Sequence, residues 1–151
     1  MPKTIEMVVR LKVPDTTAIT TLQTLQKLGF NKIKDVQRAD YYKFLVEGNE
    51  EKFKNQISKV DIIVNANKHA YDFELKKDNK VKISVKNIDD DGSGLLSTLK
   101  NRLGFKNVKR AEKAVMWALA IDADEKEAKM IAEKAAKDLL ANEHYQEYEI
   151  L

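Results

Sequence analysis

The sequence predicts a mixed α and β protein made of two copies of a β-α-β-α-β unit, and three observations lead there. The chain is self-similar at an offset of 75 residues: Gly29-Phe30 recurs as Gly104-Phe105, Lys34 as Lys109, Ala39 as Ala114, and Ala66-Asn67 with His69 as Ala141-Asn142 with His144. From Gly29 to Leu75 and from Gly104 to Ile150 the register holds without a gap, and apolar residues fall opposite apolar ones, Ile33 with Val108, Phe44 with Leu119 and Val46 with Ile121. In both copies the hydrophobic period alternates between two residues and three to four in the same order. The polar run Lys76-Lys77-Asp78-Asn79-Lys80 lacks apolar periodicity and reads as a connection, so the organisation is repeat 1 over 1–75, a linker over 76–80 and repeat 2 over 81–151. Each repeat is small for closing a core by itself, which predicts that the halves pack as an internal pseudo-dimer.

The first element of each copy is a strand. Ile5, Met7, Val9, Leu11 and Val13 alternate with intervening positions that carry Glu6, Arg10 and Lys12, and Val81, Ile83 and Val85 repeat the pattern. A helix follows, opened by Asp15 as N-cap, with Leu22, Leu25 and Leu28 at three-residue spacing and Gly29 as its left-handed stop. Its counterpart starts at Asp90 or Asp91 and runs through Leu95, Leu96, Leu99 and Leu103 to Gly104. A long strand comes next, with Tyr42, Phe44 and Val46 on one face. Its second copy, residues 114–121, is alanine-rich but aligns with that strand and reads as one buried on both faces. Asn49 and Asp124 cap the second helices, followed by Glu50-Glu51 and Glu125 at the positive end of the helix dipole. These helices bury Phe53, Ile57, Val60 and Val64, or Ala128, Ala132, Ala135 and Leu139; Asn67 and Asn142 finish them in a left-handed conformation. Each copy closes on a strand, 69–75 or 144–150.

Composition removes several functions. The 151 residues contain no cysteine, which excludes disulfide scaffolds, thiolate zinc sites and cysteine nucleophiles. Twenty-seven basic residues nearly balance 24 acidic ones, and the signs are interspersed. The densest basic stretch, Lys100 to Lys113, is followed by Asp122, Asp124, Glu125 and Glu127, so no nucleic-acid surface is expected. Residues 1–13 carry Glu6, Arg10 and Lys12 among their apolar positions, so no membrane segment is expected there and a cytoplasmic protein is the default. His69 and His144 are equivalent under the repeat, but one imidazole per copy without ligand partners favours a structural place at the start of the last strand. Residues 87–92 imitate the opening of a calcium loop, yet position twelve is Thr98 where a bidentate glutamate is required. Trp117, Tyr41 and Tyr42 could stack bases, but no basic-aromatic motif surrounds them. Trp117 reads as packing, and one of the two tyrosines should be comparatively exposed because neighbours on a strand face opposite ways. No catalytic, cofactor-binding or metal residue is recognisable.

Both halves resemble the PurS family, the small subunit of phosphoribosylformylglycinamidine synthase. The features that carry this are Asp15 before Leu28-Gly29-Phe30, Asp90 before Leu103-Gly104-Phe105, Ile33-Lys34-Asp35-Val36, and Leu139-Leu140-Ala141-Asn142 followed by Glu147-Tyr148-Glu149. The resemblance implies an α+β, ferredoxin-like fold with antiparallel sheets and helices on one face. It further implies a non-catalytic role, bridging a synthetase (PurL-type) and a glutaminase (PurQ-type) subunit so that ammonia passes between them. Glutamine, ATP and magnesium are then used by those partners, with no cofactor bound by this chain, and the duplicated chain is expected to form a homodimer. Where the family strand carries Gly-Lys, this sequence has Ala39-Asp40 and Ala114-Val115. The nearby strand residues Arg38, Asp40, Tyr41 and Lys113 are therefore the candidate partner interface. The alternative is a free-standing ferredoxin-like module that binds a small molecule or RNA.

Overall fold

A computed structural model of the chain describes residues 2–75 and 77–151; Met1 and, within the expected linker, Lys76 lie outside the described residues. Among the described residues there are six strands: β1 (Lys3–Leu11), β2 (Ile33–Val46), β3 (His69–Asp72), β4 (Val81–Asn87), β5 (Val108–Ile121) and β6 (Gln146–Ile150). The helices are α1 (Thr16–Lys27), α2 (Glu50–Ile57), α3 (Ser93–Ser97) and α4 (Glu125–Ala135); α3 and α4 each continue into a wide π turn, Thr98–Arg102 and Ala136–Leu140. Sheet order is β3-β1-β2-β5-β4-β6, and the fold class is α+β as expected.

The chain packs as two compact units, and each draws on both repeats. Of the described residues, unit 1 comprises 2–13, 40–75 and 90–113, and unit 2 comprises 14–39, 77–89 and 114–151. The 14-residue strands β2 and β5 each contribute one part to each unit.

In unit 1, β1 pairs antiparallel with β2 from Lys3 opposite Val46 to Val9 opposite Asp40, and with β3 from Val8 opposite Asp72 to Leu11 opposite His69. Alternation sends Ile5, Met7, Val9, Tyr42, Phe44 and Val46 to one face, where they meet Phe53 and Ile57 of α2 and Leu99, Val108 and Ala111 of the second repeat. Phe44 stacks beside Tyr42 at 5.8 Å and meets Phe53 edge-on at 5.3 Å.

In unit 2, β4 pairs antiparallel with β5 and β6, placing Ile83 between Trp117 and Ile150 and Val85 between Val115 and Tyr148. Their common face packs against Ala18 and Leu25 of α1, from the first repeat, and Ala132, Ala135, Ala136 and Leu140 near the end of α4. A pair of equivalent hydrogen bonds marks the repeat: Glu47 N donates to Asn107 O in unit 1, and Asp122 N donates to Lys32 O in unit 2, each residue displaced by 75.

Local capping follows the expected chemistry at three of four helices. Asp15 accepts from Thr17 and Ala18 N–H, Asn49 from Lys52 N–H and Asp124 from Glu127 N–H. The exception is α3, which begins at Ser93 behind Gly92 rather than at Asp90 or Asp91; those carboxylates accept instead from Gly92 and Ser93 N–H. Gly92 has φ +81, and a Cβ there would sit 1.8 Å from the Ala111 carbonyl oxygen, so the chain passes too close to β5 for any side chain.

Three further expectations are corrected. Leu139 is 38% exposed and Leu140 is buried instead, because the π turn inserts one residue and rotates the next side chain inward. The same device operates after α3: offset 75 puts Lys100 opposite the buried Leu25, and the wide turn brings Leu99 into the core in its place. Helix α2 stops at Ile57, so Val60 and Val64 reach the core from the turns beyond it. Neither Asn67 nor Asn142 has a positive φ; Asn142 uses its side-chain oxygen to accept from His144 N–H in a turn.

Candidate functional site: paired cations on aromatic rings

The four candidate interface residues lie where the long strands pass from one unit to the other in sequence. In unit 2, Arg38 projects from the helix-facing side of β2. Its Nε donates to Asp15 Oδ2 at 3.0 Å and its Nη2 to Asp15 Oδ1 at 3.3 Å, and its guanidinium carbon lies 6.0 Å from the centroid of Trp117. Asp15 therefore both caps α1 and holds Arg38 over the indole. In unit 1, the equivalent Lys113 places Nζ 5.6 Å from the centroid of Tyr42, the residue equivalent to Trp117. Both units thus hold a cation above an aromatic ring, with different residues in each.

The two copies are not electrostatically alike. Arg38 is half-buried and ion-paired, whereas Lys113 is exposed and Asp90, the counterpart of Asp15, is taken up by Gly92 N–H. Asp40 is opposite Val9 in register, hence on the same face as Tyr42. Burial pushes the Tyr42 phenol well above its usual range, and the Asp40 charge raises it further.

Tyr41 departs from expectation. Both tyrosines are buried, Tyr41 at 4% and Tyr42 at 2% exposure, so neither is the comparatively exposed one. Tyr41 sits opposite Val8 on the other face of the sheet, donates its phenol proton to the Glu6 carboxylate, and has the Lys43 ammonium 5.7 Å from its ring. A satisfied hydroxyl lets the ring stay buried, so the alternation rule separated the faces but not the exposures. Trp117, at 8% exposure, packs in the core of unit 2, as expected. No aromatic stacking face for bases is left among these three rings.

The histidines are separate from this region. His69 Nδ1 accepts from Asn65 N–H at 2.9 Å at the start of β3, and His144 is exposed against Tyr145. Among the described residues no three His, Asp or Glu side chains gather as a metal site, and no described helix is long and apolar enough to cross a membrane.

The PurS profile, described as phosphoribosylformylglycinamidine (FGAM) synthase, matches residues 4–77 and again residues 78–151. The chain belongs to the PurS family. Two family units in tandem agree with the repeat and with the α+β architecture, and the family connects the chain to FGAM synthase and purine biosynthesis. No curated protein matches the chain. Within this PurS chain, the sequence shows Asp15 as a helix cap and gives no local signal of its link to Arg38. The coincidence of a cation at 38 and 113 with an aromatic at 42 and 117 was readable from the repeat alone.

Proposed function

We propose that this chain is the small subunit of FGAM synthase, bridging the synthetase and glutaminase subunits so that ammonia released from glutamine reaches the amide to be converted. The observation that carries this is the family match over both halves in tandem. The chain supplies no catalytic group and binds no cofactor in this reading; ATP, magnesium and glutamine belong to the partners. The burial of Tyr41, Tyr42 and Trp117 disfavours the alternative of an RNA-binding sheet.

The partner surface is assigned to Lys113 and the exposed part of Asp40 in unit 1 and to the exposed part of Arg38 in unit 2, polar residues suited to a moderately charged interface. Tyr41 is buried on the other face of β2, bonded to Glu6. A homodimer of the chain, presenting four family units, completes the proposal.

Reconstitution is the test. The matching synthetase and glutaminase are assayed with and without this protein, comparing glutamine-dependent with ammonia-dependent amidine formation. The bridging role predicts that omission collapses only the glutamine-dependent rate; equal rates with and without the chain would reject it.

A further inference from the structure

Residues 77–82, which bring the chain into the second repeat and belong to unit 2, contain an unusual group. Lys82 is the one buried charged residue among the described residues, its side chain 10% exposed, and it stands opposite Ala118 on β5. Removing an ammonium from water is strongly unfavourable unless it is paired. Here it is paired: Nζ donates to the Asp78 carboxylate and, at 3.3 Å, to the Lys80 carbonyl. Asp78 also accepts from Lys80 N–H at 3.0 Å, so three bonds close five residues around one cation. Burial pushes the Asp78 carboxyl up, but the hydrogen bonds from Lys82 and Lys80 outweigh it and hold the group below the usual carboxylate range.

A solvated tether would need none of this. A residue facing Ala118 from a paired strand could be apolar at no electrostatic cost, whereas lysine there is tolerable only while the preceding loop stays folded back over it. We propose that residues 77–82 form a locked strap, with Lys82 as the lock and Asp78 as its catch. Residues 77–80 are then a fixed entry to β4. They also form one wall of a concavity of about 600 Å³ whose other side is built from Ile121, Asp122, Glu125 and Leu151.

Limited trypsin digestion of the full chain tests the lock, because Lys77 and Lys80 are cleavage sites inside the strap. Cleavage after these residues is followed by mass spectrometry in the wild type, Lys82→Met and Asp78→Ala. Losing a charge-assisted hydrogen bond of ordinary strength predicts roughly tenfold faster cutting at both sites in both variants. Far-UV circular dichroism is recorded in parallel to verify that the fold is retained. Three outcomes would overturn the proposal: unchanged strap cleavage in Lys82→Met, acceleration in only one of the two variants, or cuts spread along the chain without preference for the strap.

Discussion

Replacing Asp15 separates its two tasks. Asp15→Asn keeps an oxygen for the Thr17 and Ala18 N–H groups but removes the charge facing Arg38; Asp15→Ala removes both. The cap is worth about 1 kcal/mol. For the ion pair, the Asp15 side chain is 14% and the Arg38 side chain 34% exposed, which puts it at the upper end of the ~0–1 kcal/mol range of exposed pairs and well below the loss on breaking a buried one. A value of about 1 kcal/mol follows, so Asp15→Asn should cost about 1 kcal/mol and Asp15→Ala about 2 kcal/mol. Urea unfolding is the assay, read through the fluorescence of the single tryptophan, Trp117, which lies under the Arg38 guanidinium. A double-mutant cycle of Asp15→Ala with Arg38→Ala should recover a coupling of about 1 kcal/mol. Wild-type stability in Asp15→Asn together with zero coupling would refute the reasoning, and would leave Arg38 wholly available to a partner.

The remaining predictions are independent of that pair. Gly92→Ala should cost at least about 2 kcal/mol, since it adds left-handed strain to a Cβ collision with the Ala111 carbonyl; a thermal melt superimposable on wild type would contradict the close approach. Leu25→Ala should destabilise the chain by ~2–5 kcal/mol and perturb Trp117 emission, because this fully buried side chain and Trp117 share one core; an unchanged urea midpoint would speak against it. The Tyr42 phenol keeps its proton in the folded state beyond its ordinary value of 10.0, so its contribution is intact below pH 10. Above pH 10 the unfolded phenol ionises first and stability falls by up to about 1.4 kcal/mol per pH unit from this group, a slope that Tyr42→Phe should remove in unfolding curves taken between about pH 9 and 11.5.

Much of the fold was legible because hydrophobic period and capping chemistry are local properties. The alternation in β1, the Asp15 cap and the Gly29 and Gly104 stops each follow from a few adjacent residues, and the repeat supplied a second reading where alanines obscured β5. What failed was set by geometry that a simple period does not encode. A π turn moves every later side chain by one position, so Leu140 replaced Leu139, and the close passage of residue 92 beside β5 displaced the start of α3. The candidate site was legible as positions and not as contacts. Arg38 and Lys113 stand 75 positions apart and so are equivalent under the repeat, but the sequence does not show that one cation is bound to a cap or that Tyr41 is buried on Glu6. Such pairings join residues 23 and 35 positions apart, beyond the reach of any local pattern.

The central structural claim is that neither repeat owns a complete core: α1 and Leu25 serve the unit built on β4, while Leu99 and Val108 serve the unit built on β1. The most direct test is to express residues 1–77 and 78–151 separately and then together, following circular dichroism, Trp117 emission and size. Each piece alone should be a poorly packed chain without a cooperative melt, and mixing them should restore a cooperative transition and the buried emission of Trp117 in a one-to-one complex. A fragment covering 1–77 that melts cooperatively as a monomer, with no gain on adding its partner, would contradict the account.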